Sequence, residues 1–410
     1  MAVTLKYNAV MQKIKPIPHQ SLQLPAPSEA AHASSHALLE SIRQAIQQEP
    51  TWFSFARYME LALYSPRLGY YSGGSAKLGP DGDFTTAPEM TPLFGASLAQ
   101  FYQQHRPQIP AQVMEFGAGS GRLAFDFLTH CHLSDIAIDR YFIVELSGEL
   151  RARQEELLQG FPQVQWLDAM PVHFSGLVLG NEVLDAMPVD LLMKTEAGWQ
   201  ECGVHIDERG DLGLCYRPAD AQLITQIPDA QSLPYPYMTE VHRIAAGFMH
   251  SLSQMCYAGM KQNQQASLIV LLDYGFPAHE FYHPERNSGT LMCHYRHHAH
   301  SDAFYLPGLQ DITAHVDFTE MARCGLDEQM DLLCYTSQAA FLLNAGITKV
   351  LESQKNDEKK CDEMQYLRSA NLVQKLISPA EMGELFKVLV MGCGVEMHPS
   401  YAAFDRSYRL

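Results

Sequence analysis

The sequence predicts an α/β protein organised around a twisted parallel sheet, and three observations carry that reading. Between Gln112 and Leu192, short β-rich runs alternate with single helical ones, and strands joined through one helix form parallel βαβ units. A glycine-rich turn, Gly117-Ala118-Gly119-Ser120-Gly121, leads from the first of these strands into its helix. The chain has 410 residues, 47% of them apolar, which is enough for one large or two ordinary domains with well-formed cores.

Apolar residues at helical spacing predict one helix over His36–Gln48 and another through Phe55, Met59 and Leu63, ahead of turn-forming glycines between Gly69 and Gly82. A third helix is expected from Pro92 to Gln104. The alternating region reads as strand Val113–Phe116, helix Arg122–His130, strand Tyr141–Glu145, helix Gly148–Gln159, then strands Val164–Leu167 and Leu177–Leu179. From Asp190 onward, the runs Leu191–Met193, Gln200–Ile206 and Leu212–Tyr216 are separated by Glu196-Ala197-Gly198 and Glu208-Arg209-Gly210, the pattern of antiparallel hairpins. A long helix is expected over Glu240–Gly259, and Ser267–Asp273 predicts a buried strand that rejoins the sheet. The charged stretch Gln354–Glu363 reads as an exposed segment or a fraying helix surface. The expected organisation is a mobile arm over 1–35, helices and a covering loop over 36–110, the ligand-binding sheet core over 111–190, a hairpin and helical insertion over 191–265, and the rest of the sheet with substrate-side elements over 266–410.

Charge and cysteine usage exclude several functions. With 29 Lys+Arg against 46 Asp+Glu the net charge is −17. Proteins that bind nucleic acid neutralise phosphates with clustered Lys and Arg, so no nucleic acid partner is expected, nor an anionic membrane surface. The apolar stretches Ser267–Leu272 and Val388–Met391 fall far short of the roughly 20 residues of a membrane helix, so no span is expected. Nine cysteines lie singly with no C-x-x-C pair, the usage of reduced thiols. Residues 1–28 carry Lys6, Lys13 and Lys15 but no arginine and no apolar run, so they read as an arm rather than a targeting signal. The composition suits the cytoplasm of a bacterium, and it leaves room for a homodimer.

The glycine loop allows a sharp turn and close approach of backbone to a ligand, and the helix after it offers free N–H groups. The next strand ends at Glu145, where a carboxylate can accept both hydroxyls of a ribose. Two nucleoside cofactors compete for such a site. A dinucleotide loop wants G-x-G-x-x-G, whereas here the glycines fall at 117, 119 and 121 and position 122 is Arg. Glu115, two positions before the first glycine, suits a cationic ligand better than a pyrophosphate, which favours S-adenosylmethionine (SAM) over NAD. Asp168, ending the third strand, is placed either to meet the adenine or to serve as a solvated turn or cap acid. Asn181, Glu182 and Asp185 follow the fourth strand, at the strand ends that face a ligand crevice. Thr86 to Glu89 resembles a capping box at a helix start, the reading favoured on local grounds. The histidines of Tyr282-His283 and His294–His300 lack H-E-x-x-H and any Cys pair, so no metal is expected.

Five uncommon strings then occur in order: Phe55 to Gly74, the Gly-Asp-Phe-Thr-Thr-Ala-Pro-Glu loop ending at Glu89, Glu-Phe-Gly-Ala-Gly-Ser-Gly-Arg-Leu from Glu115, Gly-Asn-Glu-Val-Leu-Asp-Ala-Met-Pro-Val from Gly180, and Pro307 to Phe318. From about Trp52 to Phe404 the chain resembles the MidA family of SAM-dependent methyltransferases, whose mitochondrial members are protein arginine methyltransferases that assist assembly of respiratory complex I. The resemblance implies a class I methyltransferase fold, a Rossmann-like doubly wound sheet with N-terminal helices and a family-specific hairpin and helical insertion. It implies SAM contacts at Glu115, Gly117, Ala118, Gly119, Gly121, Glu145, Leu146, Asp168 and Asn181, and it moves Thr85, Thr86 and Glu89 from a cap to a position over the cofactor. It also implies a protein substrate bearing an arginine, and the mitochondrial matrix as the location if the source is eukaryotic. Arginine is protonated and poorly nucleophilic, so two carboxylates gripping the guanidinium and accommodating the lost proton would serve the chemistry. Glu182 and Asp185 are the first candidates, Glu89 the third, with Asp311, His315 and Asp317 on the substrate side. The rival readings are a non-catalytic SAM-binding assembly factor and an NAD-dependent oxidoreductase.

Overall fold

The computed structural model describes residues 24–73, 86–356 and 363–410. The βαβ region forms β1 (Gln112–Phe116), β2 (Arg140–Val144), β3 (Val164–Leu167) and β4 (Gly176–Asn181), followed by β5 (Asp190–Thr195), β6 (Gly198–Ile206), β7 (Leu212–Pro218) and β8 (Tyr237–Val241). The remaining strands are β9 (Ser267–Phe276), β10 (Met292–Tyr295), β11 (His298–His300), β12 (Asp311–Thr313), β13 (Val316–Asp317), β14 (Asp331–Ser337) and β15 (Phe386–Cys393). The main sheet has the order β3-β2-β1-β4-β9-β15-β14, with β13 also pairing β9. Pairing is parallel from β3 through to β9, and β15 runs antiparallel between β9 and β14. The strand order reverses between β1 and β4, and a crevice opens at such a switch point beyond the strand C-termini.

Alternate side chains of the central strands feed two cores. Val113, Leu177, Leu179, Leu268, Val270, Val388 and Val390 join one core, packed with helices Pro92–His105 and Arg122–Leu133. Met114, Val178, Ile269, Leu271, Leu389 and Met391 join the other, under helices Arg243–Asn263 and Phe318–Asp327. Burial on both faces explains why these strands read as continuous apolar runs. A third core joins helices Glu29–Gln48 and Phe55–Tyr64 to β5 and β6, through Leu38, Ile42, Tyr58, Met59, Leu191 and Val204. This layer fixes the N-terminal helices against the antiparallel sheet β7-β6-β5-β8.

Two expectations are corrected. The first helix begins at Glu29, inside the stretch read as a mobile arm: the Ser28 side chain accepts from Ala31 N at 3.2 Å, and Ala30 and Ala33 favour helix while facing solvent, so no apolar period announced them. Glu240 lies not in a helix but in β8, opposite Leu191. Its buried carboxylate accepts from Thr290 N at 2.8 Å, Leu291 N at 2.9 Å and the Thr290 hydroxyl at 3.0 Å, and the long helix starts only at Arg243. The stretch from Gln354 is helical to Asn356, as the fraying-helix reading expects, and 357–362 lie outside the described residues. The eight described cysteines are all free.

Candidate functional site

The loop after β1 takes the left-handed backbone at Gly117 (φ 67°), Gly119 (φ 53°) and Gly121 (φ 85°). Gly121 is the N-cap of helix Arg122–Leu133 and offers no side chain to it. Successive turns of this kind aim backbone N–H groups into one concavity. At Gly117 a Cβ would stand 2.7 Å from Val183 Cγ2, so the loop packs directly on the segment that follows β4.

Helix Gly148–Leu157 pins this loop to the end of β2 through a single buried residue, Gln154. Its Nε2 donates to Gly119 O at 2.9 Å and to Glu145 Oε2 at 3.0 Å, while its Oε1 accepts from Trp166 Nε1 at 3.0 Å. The other Glu145 oxygen accepts from Ser147 N at 2.8 Å. Beside it Leu146 is 83% exposed, an apolar side chain held open at the crevice rim. Asp168 is exposed and paired with Arg151 Nη1 at 2.7 Å. No helix starts after it, which favours the solvated acid over the cap. Glu115 lies beneath the loop, buried and accepting from the Tyr141 hydroxyl at 2.5 Å, and burial pushes its carboxyl up to about 7.

On the other side of the switch point, the segment after β4 is shaped by Asp273, which lies within β9. Asp273 Oδ2 accepts from Val183 N at 3.2 Å, Leu184 N at 2.9 Å and Asp185 N at 3.3 Å, and Oδ1 accepts from Tyr274 N at 3.0 Å. This fold holds Glu182 in the left-handed region at φ 52°. Glu182 Oε1 accepts from Asn181 Nδ2 at 3.0 Å, and its carboxylate also takes the backbone N–H of Ala87. Asp185 Oδ2 accepts from the Tyr274 hydroxyl and the backbone N–H of Ala186 faces the same carboxylate, while its buried Oδ1 makes no well-formed hydrogen bond, and neither does Asn181 Oδ1. Burial, then the charge of Asp185, pushes Glu182 up to about 8, and burial pushes Asp185 up to about 6. Asp311 on β12 accepts from the Tyr71 hydroxyl at 2.9 and 3.1 Å. Its charge is felt at Glu182 and Tyr64, so the three carboxylates of 182, 185 and 311 share one neighbourhood.

Residues 93–336 match a family model described as "Putative S-adenosyl-L-methionine-dependent methyltransferase". The chain belongs to that methyltransferase family. A Burkholderia thailandensis protein crystallised with S-adenosyl-homocysteine is 45% identical, covering 95% of this chain and 100% of its own, with a TM-score of 0.85. Curated relatives include the Danio rerio and Rattus norvegicus proteins named protein arginine methyltransferase NDUFAF7, mitochondrial. They are 28% and 29% identical, over 82% and 81% of this chain and 82% and 79% of their own lengths.

The protein is a SAM-dependent methyltransferase with the class I fold, and its residues fit that cofactor. Gly117 has no room for a side chain, Asn181 Oδ1 is an unengaged acceptor, Glu145 presents a carboxylate just past the end of β2, and Leu146 offers an exposed apolar side chain. The methyltransferase also corrects the capping-box reading. Thr86 is the N-cap of helix Ala87–Met90 but makes no side-chain cap bond. The Glu89 carboxylate instead accepts from the Ser120 hydroxyl of the glycine loop. Segment Thr86–Met90 therefore touches both the loop, through Glu89, and Glu182, through Ala87. Thr85 lies outside the described residues.

Two residues expected on the substrate side have other tasks. Asp317 is the N-cap of helix Phe318–Asp327, accepting from Thr319 N at 3.0 Å and Glu320 N at 3.3 Å, so the helix start accounts for it. His315 stands edge-on to the rings of Tyr274 and Phe276 at 5.2 and 5.1 Å, and burial pushes it down to about 4, leaving it neutral beside Tyr274. Among the described residues no group of three His, Cys, Asp or Glu side chains could hold a metal ion.

Sequence reasoning missed Gln154, Asp273, Tyr274, Tyr64 and Tyr71. The one available signal was Asp273, a charge closing the apolar run Leu268–Leu272 inside a strand. Because Gln154 connects the glycine loop with Glu145, Gln154→Leu should weaken S-adenosyl-homocysteine binding about tenfold, as expected for leaving buried polar partners unpaired. Calorimetry on the folded variant checks this.

Proposed function

We propose that this methyltransferase acts on arginine side chains of a protein. The observation that carries the reading is the buried Asp185 Oδ1, an acceptor with no well-formed hydrogen bond, set beside Glu182 and Asp311 and ringed by tyrosines. A cluster of acids with an unpaired buried acceptor needs a cationic donor, and a guanidinium carries five N–H groups in one plane. The names of the NDUFAF7 relatives support the same substrate class.

In this reading Glu145 would hold the ribose hydroxyls, Leu146 the adenine, Gly117 to Gly121 the amino-acid portion, and Asn181 Oδ1 the ammonium of the cofactor. Bound SAM supplies an electrophilic methyl, whose bond to sulfur breaks as the bond to the acceptor nitrogen forms, leaving S-adenosyl-homocysteine. Asp185 and Glu182 hold the guanidinium in one orientation, which is the main contribution a protein makes to an in-line displacement. The product stays a monocation, so one proton leaves the acceptor nitrogen, and an ionised Glu182 carboxylate takes it. Glu89 and Ala87 tie the covering segment to the two halves of the site and help exclude water. The free cysteines suit a reducing compartment, and we place the protein in the cytoplasm of a bacterium or the mitochondrial matrix.

The direct test is incubation with isotopically labelled SAM and extract from cells lacking the protein, followed by mass spectrometry. Label in methylarginine is the expected result, and label confined to another residue overturns the substrate class. The groups at about 6 and about 8 set a pH dependence: both must ionise to grip a cation, so kcat/KM for the acceptor should climb across that interval and level off above it.

A further inference from the structure

Helix Phe55–Tyr64 ends at Tyr64, and the chain then reverses so that Tyr70 N donates to Ala62 O at 2.9 Å and Tyr71 N to Leu63 O at 2.8 Å. The reversal is tight: a Cβ on Gly69 would fall 2.5 Å from Ser65 N. Its result is a pair of stacked rings, Tyr64 and Tyr71, with centroids 5.5 Å apart and planes 23° apart. The Tyr71 hydroxyl donates to the Asp311 carboxylate, and the Tyr64 hydroxyl donates at 3.0 Å to Ala186 O, the residue next to Asp185. Tyr64 remains 40% exposed, although its hydroxyl lies among the charges of Asp311 and Asp185. One ring face is taken by Tyr71, part of Tyr64 stays exposed, and its hydroxyl is anchored on Ala186 O, one residue from Asp185.

We propose that Tyr64, backed by Tyr71 and Asp311, is the wall of the acceptor site that selects a flat, delocalised cation, a guanidinium, over the ammonium of lysine. The proposal rests on the arginine reading above and adds the residues that discriminate. A guanidinium can lay its face on Tyr64 while its edge N–H groups reach Asp185, Glu182 and Asp311. An ammonium has no plane to stack and holds its water more strongly. The acidic cluster draws in a cation and offers acceptors to the planar N–H groups of a guanidinium, and the aromatic wall adds discrimination against an ammonium.

The test is ligand-detected NMR on the full chain loaded with S-adenosyl-homocysteine, titrated with butylguanidinium and with butylammonium at equal ionic strength. Wild type should bind the guanidinium roughly threefold to thirtyfold more tightly, the span of a cation–π contact from exposed to desolvated. Tyr64→Leu should abolish the preference by weakening the guanidinium alone, and Tyr64→Phe should keep it. Asp311→Asn should weaken both cations. Equal binding of the two cations to wild type, binding of neither, or a Tyr64→Leu variant with the preference intact overturns the proposal. Should Tyr64→Leu lose S-adenosyl-homocysteine binding, Tyr71→Leu decides: it removes the ring that backs Tyr64, and an unchanged preference for the guanidinium overturns the wall. Failure of the two readings is distinguishable. Methylarginine formed with no effect of Tyr64 removes only the wall, and a guanidinium preference without methylarginine removes only the arginine transfer.

Discussion

Glu182→Gln and Asp185→Asn should each lower methyl transfer by about 10²- to 10⁴-fold, the usual worth of a positioned acid–base group, with S-adenosyl-homocysteine still bound within about threefold of wild type. Initial rates and calorimetry on the same preparations check both halves. For Asp185 the change puts an amide beside the position where the unpaired Oδ1 awaits a donor, while the Tyr274 hydroxyl can still find an acceptor oxygen. For Glu182 it removes the proton acceptor yet leaves an oxygen for Asn181 Nδ2 and Ala87 N–H. Stability should move the opposite way at Glu182. A carboxyl raised to about 8 in the fold holds its proton more tightly there than in the unfolded chain, so the stability it lends at low pH is lost as pH rises through that value. Glu182→Gln should therefore melt near wild type at about pH 5 and above it at about pH 9. Equal melting at both would mean that Glu182 carries no such penalty.

The half of the site to which we assign the cofactor was legible because it is local. Gly117, Gly119, Gly121 and Glu145 sit on consecutive βαβ units, where a turn and the next strand end are set by short-range geometry. The acceptor half was not, because its residues meet across the chain: Tyr71 and Asp311 are 240 positions apart and Tyr274 and Asp185 are 89. No periodicity connects such pairs. Gln154 escaped for a different reason. Its helix, GELRARQEEL, is polar all round, so its sequence reads as a solvated surface element, yet the one residue it buries is the glutamine that carries the hydrogen bonds of the loop. Glu240 misled in the reverse direction, an acid at the edge of a helical pattern that tertiary donors hold in a strand. The same long-range construction brings the N-terminal helices into the site, since Tyr64 and Tyr71 reach Ala186 and Asp311 only after the third core has fixed that layer.

Gly117→Ala should cost the methyltransferase about tenfold to a hundredfold in S-adenosyl-homocysteine affinity. Two separate effects combine there. An L-residue held at the left-handed φ of 67° is disfavoured by about 1–2 kcal/mol, and the new methyl would meet Val183 Cγ2 at 2.7 Å. Val183 lies in the segment whose N–H groups Asp273 collects, so it cannot retreat without disturbing Glu182 and Asp185. The double variant Gly117→Ala, Val183→Ala separates the effects, because it removes the contact and leaves the backbone strain. Partial recovery is the expected result. Full recovery would place the whole cost in the contact, and none would place it in the backbone. Gly148→Ala supplies the control: that glycine opens a helix beside the same site with nothing within 4 Å of a Cβ, and its replacement should leave binding unchanged. A loss there equal to that at Gly117 would mean that binding responds to any added methyl near the crevice, not to the conformation the loop requires.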